Sequence, residues 1–415
     1  MSLAAIFDQA KPVLNRLHTA GYEAYFVGGC VRDYLLGRPI HDIDITSSAY
    51  PVEIQKLFPK HVDLGVEHGT VLVLYNGGKY EVTTYRSEGP YTDYRRPDQV
   101  TFVKDLKEDL LRRDFTINAL AMDAGGQVID YFAGQADLQA GLIRAVGCPQ
   151  ERFSEDALRM MRALRFLSQL NFQLDDDTQN ALVNLQHLLN KIAIERILVE
   201  MNKLWLGPAW QRALQLMYQS GLHQQLPSFD QLASGLAYLC QKVSHSVRFP
   251  NYQLAWALLI FSSQNHQQAG QNLGRQLSRE WKMSNQDRQA ILTYLDILYQ
   301  RRDQEIWDVW SLYQLGYQPV LNVEELLAVS QTEGDHFGQA FSPSQLASLP
   351  VLAEQVPIAS KKDMAIKGND IIKHFDPQPR ALIGTWLDQA EEAIVRGQLA
   401  NEADQILAYI ASLNS

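Results

Sequence analysis

The chain has 415 residues, 46% of them hydrophobic and 20% charged, an ordinary composition for a soluble globular protein of two to four domains. Its formal net charge of −10 argues against a protein that coats nucleic acid without specificity, so any RNA contact must rest on a local basic patch. The cysteines Cys30, Cys148 and Cys240 are too few and too scattered for a disulfide framework or a zinc site. No apolar run reaches the ~20 residues of a membrane span, the longest candidate lying around Leu254–Phe261. The N-terminus lacks the basic stretch and cleavage site of a secretory signal, and a reducing cytoplasm is the expected compartment.

Apolar residues Ile6, Val13, Leu14 and Leu17 recur near one face of a predicted helix over Leu3–Ala20, which Gly21 ends. A short strand, Tyr25-Phe26-Val27, then delivers Gly28-Gly29, where backbone N–H groups can approach phosphate with no side chain in the way. An amphipathic turn and a break at Gly37–Pro39 lead into a predicted strand His41-Asp42-Ile43-Asp44-Ile45. Alternation points Asp42 and Asp44 to one face. Either fragment alone is more often a turn or a wetted strand face, but two carboxylates this close behind a glycine pair can share divalent cations.

Pro51 suits the first position of a helix over Val52–Phe58. Thr70–Tyr75, the turn Asn76-Gly77-Gly78 and Lys79–Tyr85 form a hairpin by pattern, whose second strand presents Glu81 as a candidate third carboxylate beside Asp42 and Asp44. A polar, turn-rich stretch over Arg86–Gln99 is long enough to be a functional loop. Arg112-Arg113-Asp114-Phe115-Thr116-Ile117-Asn118-Ala119 offers paired guanidiniums that can grip phosphate in a fork. Turns at Gly125-Gly126 and near Gly134 complete a small mixed sheet, and beyond Val146 helical periods dominate. The expected fold class is α+β, a catalytic head followed by a long all-helical region.

The first helix of that region is predicted to start after an N-cap at Ser154 and to run through Glu155–Phe166. Ala157, Met160, Met161, Leu164 and Leu167 make its apolar face. Asp156, Arg159, Arg162 and Arg165 spread over the opposite half, with Asp156 and Arg159 neighbours at i and i+3. An acceptor beside a donor matches the pairing edge of cytosine and adenine and mismatches that of uracil and guanine. Most such patterns are i,i+3 ion pairs on a solvated helix face, but a fixed Asp–Arg pair would select CTP and ATP with no nucleic-acid template, because buried unmatched polar groups are costly.

G-G-C-V-R-D (28–33), D-I-D (42–44), R-R-D-F-T-I-N-A (112–119), D-Y-F-A-G-Q-A-D-L (130–138) and E-D-A-L-R-M-M-R-A-L-R-F (155–166) together resemble the bacterial class II tRNA nucleotidyltransferases, the CCA-adding enzymes of the DNA polymerase β superfamily. The likeness continues more sparsely in E-R-I-L-V-E-M-N-K-L-W (195–205) and I-K-G-N-D-I-I (366–372). It implies that Gly29 and Arg32 contact the triphosphate, that Asp42 and Asp44 bind Mg²⁺, and that Arg113, Asp156, Arg159, Arg162 and Arg165 bind nucleotide. Helix geometry sets Arg165 about half a turn from Asp156, which assigns it to phosphate or to shaping the pocket. The 86–99 stretch resembles the family's flexible loop.

The implied layout is a head over 1–148, a nucleotide-selecting neck over 149–200, a body over 201–318 and a tRNA-binding tail over 319–415, with Lys361, Lys362, Lys367, Lys373 and Arg380 as candidate phosphate contacts. The implied activity is addition and repair of the 3′-terminal CCA of tRNA from CTP and ATP, away from any membrane, and the family's habit suggests a possible homodimer. Two alternatives stay open on sequence alone. One is a poly(A) polymerase or a partial enzyme adding only CC or A; the other is an RNA-binding protein on an inactive transferase scaffold.

Overall fold

A computed structural model describes residues 3–65, 69–88, 100–303, 306–375 and 380–413. The chain divides into two compact units, residues 1–230 and 231–415. The first holds the expected head and neck together with residues 201–230 of the expected body.

The first unit opens with α1 (Leu3–Thr19), whose Phe7, Val13, Leu14 and Leu17 are buried while Ile6 is only half-buried. β1 (Ala24–Val27), α2 (Gly29–Leu35), β2 (Asp44–Ser47), α3 (Pro51–Leu57), β3 (His61–Gly65), β4 (Thr70–Tyr75) and β5 (Gly78–Thr84) follow. The predicted hairpin forms in register, Tyr75 opposite Gly78, with Asn76 and Gly77 both at positive φ (49° and 79°), as a two-residue turn between twisted strands requires. β6 (Arg86–Glu88) and β7 (Val100–Phe102) pair antiparallel as a separate ribbon. Residues 89–99 of the expected loop lie outside the described residues. Then come α4 (Leu106–Leu111), β8 (Leu120–Met122), β9 (Val128–Asp130) and α5 (Gly134–Ala140).

Seven strands make one sheet in the order β3-β4-β5-β2-β1-β8-β9, and only β2 and β5 run parallel. The predicted strand His41–Ile45 is displaced toward the C-terminus. β1 pairs with β2 only from Ser47 back to Ile45, and Gly28 at φ 76° turns the chain away immediately afterwards. Asp42 has no strand across from it and stands on the approach to β2. At Gly134 the constraint is space, since a Cβ would sit 2.2 Å from the Thr116 carbonyl oxygen.

The helical part of this unit begins with α6 (Pro149–Glu155) and α7 (Leu158–Leu170), continues through α8 (Asp176–Leu185) and α9 (Ile194–Trp205), and ends on Trp210–Gln219. The predicted single helix from Glu155 to Phe166 is two helices. Asp156 between them is extended (φ −135°, ψ 100°), its carboxylate accepting from the Leu158 N–H at 3.1 Å, so Ser154 lies inside α6 and is no cap. The apolar face is nonetheless as expected, with Ala157, Met160, Met161, Leu164 and Leu167 all buried.

Among its described residues the second unit holds helices and no strand. The apolar run at Leu254–Phe261 forms the helix Tyr252–Ser263, buried from Leu254 to Ile260. A helix apolar on every side belongs inside a protein core, and among the described residues no helix is long and apolar enough to cross a membrane. Trp256 meets Trp281 edge-on at 4.9 Å. The Glu324 carboxylate is fully buried and accepts from Arg301 Nε (2.7 Å), Trp307 Nε1 (2.7 Å) and the Gln345 N–H (2.7 Å). Removing one member of such a pair strands the other charge in a dry core. Glu324→Gln is expected to destabilise this unit by ~3 kcal/mol, read as a lower urea midpoint by far-UV circular dichroism; an unmoved midpoint would show that the pair carries no net stability.

Candidate active site

The parallel register of β2 and β5 sets Asp44 opposite Glu81, and Asp42 follows two residues upstream of Asp44. All three are exposed. Surrounding protein still desolvates the inner side of Asp44 and raises its carboxyl above the usual range; Glu81 and Asp42 push the same way, and Arg113 opposes them. Repelling carboxylates with accessible oxygens are the donor set a hard divalent cation neutralises. No group of three or more His, Cys, Asp or Glu among the described residues could hold a metal. Glu81 acts on Asp44 by charge. Two carboxylates suit an ion that completes its shell with substrate phosphate and water.

Beside this cluster the guanidiniums are held by buried acids. Asp109, fully buried on α4 just before the R-R-D segment, accepts from Arg112 at 2.7 Å and Arg113 at 3.3 Å. Burial alone would raise its carboxyl, but the two arginines and the Arg86 backbone N–H hold it below the usual range. Gly28 is glycine for a second reason, since a Cβ there would stand 3.0 Å from Arg113 Nη1. A Cβ on Gly29 would make an ordinary contact of 3.7 Å with Arg32.

Arg32 grips Asp33 with two N–H groups (3.0 and 2.8 Å) and donates a third to the Asn118 carbonyl oxygen at 2.7 Å. The Asn118 amide donates to Asp114 at 3.0 Å, and the other Asp114 oxygen accepts from Arg162 Nε at 2.7 Å. Glu200 on α9 accepts from Arg165 and lies 3.8 Å from Arg162. The Phe166 ring has Arg165, Arg32 and Arg162 at 3.8, 5.0 and 5.5 Å from its centroid, all within cation–π range. Arg32 from the head and Arg162 and Arg165 from the helical segment therefore belong to one network. Arg165 is engaged with Glu200, Gln169 and Phe166.

Asp156 and Arg159 do not pair with each other. Asp156 accepts from Arg196 at 2.8 Å, and Arg159, buried at 7% exposure, donates to Glu155 (2.7 Å) and to the carbonyls of Arg152 (3.0 Å) and Arg112 (2.8 Å). Sequence reasoning missed Asp109, Asp114, Asn118, Glu155 and Glu200 as holders of the arginines, and Arg196 as the partner of Asp156. A signal existed for most of them, as acids or amides inside the quoted motifs.

The family comparisons follow this geometry along the chain. The model of the poly A polymerase head domain matches residues 24–144, that of the probable RNA- and SrmB-binding site of polymerase A matches 171–232, and that of the putative tRNA nucleotidyltransferase domain 2 matches 247–410. The CCA-adding enzyme of Streptococcus pyogenes is 41% identical over 410 residues, covering 99% of this chain and 98% of the relative. The chain belongs to the CCA-adding enzyme family. The CCA-adding enzyme of Lactococcus lactis is 42% identical over 410 residues, 98% of each chain. The crystal structure of the Bacillus stearothermophilus CCA-adding enzyme in complex with CTP matches with a TM-score of 0.84 at 36% identity, over 98% of this chain and 97% of that one. A CCA-adding enzyme structure with ATP, 20% identical with a TM-score of 0.62, shares the fold. Family membership brings nucleotidyl transfer and the use of a divalent cation, which the Asp42–Asp44 donor set fits.

Asp114 supplies the test of the network. Burial would raise its carboxyl, but Arg162, the Asn118 amide and the Phe115 N–H outweigh that and hold it at about 2. The stabilisation is present above the unfolded value near 4 and is lost as pH falls toward 2. Wild type should therefore lose ~2 kcal/mol between pH 4 and 2 that Asp114→Asn does not lose. Urea denaturation at several pH values checks this, and parallel pH profiles for the two proteins would contradict it.

Proposed function

We propose that the chain adds and repairs the 3′-terminal CCA of tRNA, using CTP and ATP, Mg²⁺ at Asp42 and Asp44, and the Asp156–Arg159 pair to choose the base. The observation that carries the reading is the strand register that sets Asp44 opposite Glu81, two residues after Asp42, beside the hydrogen-bonded chain Arg32–Asn118–Asp114–Arg162 that follows Arg113. Acids for metal and guanidiniums for triphosphate meet there at the end of one strand pair.

In the reaction the tRNA 3′-oxygen attacks the α-phosphorus in line, the bond to the bridging oxygen breaks, and pyrophosphate leaves. Asp42 and Asp44 would hold the divalent cations, which would supply a lower pKa for the attacking hydroxyl and charge neutralisation for the leaving pyrophosphate. Arg32 and Arg113 orient the triphosphate, and Gly28 and Gly29 let it approach the backbone. Asp156 accepts from the exocyclic amino group of cytosine or adenine while Arg159 donates to the adjacent ring nitrogen. Uracil and guanine set acceptor against acceptor at Asp156 and donor against donor at Arg159. Arg162 and Arg165, anchored on Asp114 and Glu200, hold the pocket wall.

The helices over 149–200 serve as the nucleotide-selecting neck, and residues 201–318 and 319–415 as body and tail along the tRNA. Lys361 is engaged with Asp388 and Glu391, whereas Lys362, Lys367, Lys373 and Arg380 are exposed and open to phosphate. A cytoplasmic homodimer fits the family's habit.

Incubating the protein with tRNA lacking CCA and each labelled nucleotide should give two C additions and one A, then a stop. Long A tracts or arrest after CC would favour the poly(A) or partial-enzyme alternatives. Asp42→Ala should reduce incorporation at least ~10³-fold with tRNA affinity nearly unchanged, measured by filter binding; persisting activity would move the chemistry elsewhere. Arg159→Glu should lower the CTP-over-UTP preference ~10²-fold while changing triphosphate affinity much less, and unaltered base choice would refute the protein template.

A further inference from the structure

We infer that Arg152, which no motif argument singled out, is a positioning residue for base choice: it fixes the direction of the Arg159 guanidinium through Glu155 and anchors both to the end of α4. The inference rests on the base-reading role proposed for Arg159. Arg152 is largely enclosed, its side chain 12% exposed. Its Nη1 donates to the Leu111 carbonyl at 3.0 Å and its Nη2 to Glu155 Oε1 at 2.5 Å. The other Glu155 oxygen accepts from Arg159 Nη1 at 2.7 Å, and Arg159 Nη2 donates to the Arg112 carbonyl at 2.8 Å. The circuit starts and finishes on neighbouring carbonyls at the C-terminal end of α4, which have no helical N–H to serve them.

The arrangement divides labour within one carboxylate. With Oε1 committed to Arg152, Glu155 can present only Oε2 to Arg159, so the contact is single and the remaining N–H groups of the fork are set by backbone. Without Arg152, Glu155 is free to rotate and either capture Arg159 with both oxygens or swing to solvent. Either outcome moves the guanidinium from the line on which it meets a base, and recognition of this kind tolerates displacements of only ~0.5 Å. Arg152 also keeps its Nε buried without an acceptor. An arginine retained with an unmet donor is not chosen for stability alone, since an apolar side chain of similar length would avoid that cost.

Arg152→Met and Arg152→Lys in the full chain test this, with Arg159→Met in parallel. The readout is kcat/KM for CTP and for UTP on tRNA lacking CCA. Arg152→Met should lower the CTP/UTP ratio ~10-fold, chiefly through KM for CTP. Arg152→Lys should recover part of the loss, because one ammonium reaches Glu155 but lacks the fork that also serves Leu111. A ratio equal to wild type in Arg152→Met, or an equal fall in kcat for both nucleotides with the ratio intact, overturns the inference and leaves Arg152 merely structural. If the Met variant does not fold, the Lys variant is judged on the same ratio. Loss of discrimination in Arg159→Met alone rejects only the positioning role. Retained discrimination in Arg159→Met rejects the base-reading role itself, and the inference with it.

Discussion

A buried carboxylate between two parts of the chain organises this site. Asp114 cannot stay charged in the interior unless donors surround it, and it finds them in the Phe115 N–H, the Asn118 amide and Arg162. The first two are local. The third comes from α7, 48 residues away, and that demand brings the helical segment against the R-R-D motif. Asn118, turned by Asp114, then offers its oxygen to Arg32. The position of Arg32 is thus a consequence of how one acid is neutralised.

The same economy governs the other guanidiniums. Arg112 and Arg113 share Asp109, Arg162 and Arg165 converge on Glu200 and Phe166, and Arg159 is satisfied by Glu155 and two carbonyls. A bank of arginines would otherwise repel itself and lose its geometry. Fixed on acids and an aromatic face, the bank is preorganised, and under the proposed reading a nucleotide would meet donors already aimed, without paying their ordering entropy. The same holds for the couple proposed to read the base, with Asp156 fixed by Arg196 and Arg159 by Glu155.

How much of this the sequence carries depends on the range of the interaction. Asn76-Gly77 declared its hairpin because the turn conformation is local. The apolar face of α7 followed from its period alone. The strand carrying Asp44 was displaced because its pairing ends where Gly28 turns β1 away, and that partner lies some sixteen residues upstream. The break at Asp156 was hidden for a similar reason: Glu155–Phe166 reads as unbroken helix, while Asp156 is held extended by its own turn and by Arg196, 40 residues downstream. The α+β class and the candidate acids and arginines were legible as residue types. What periodicity could not supply was the set of partners, such as Glu200 for Arg165 and Asp109 for Arg113, because a lone acid on a helix gives no sign of which distant cation it will meet.

The central claim is spatial: two strand-end acids gather metal while an acid–guanidinium couple between α6 and α7 reads the base. A crystal structure of this chain with CTP and Mg²⁺ tests it most directly. The account predicts metal on Asp42 and Asp44, triphosphate against Arg32 and Arg113, and the cytosine edge facing Asp156 and Arg159. A base bound away from that couple, or a metal ion bound without either acid, would contradict it.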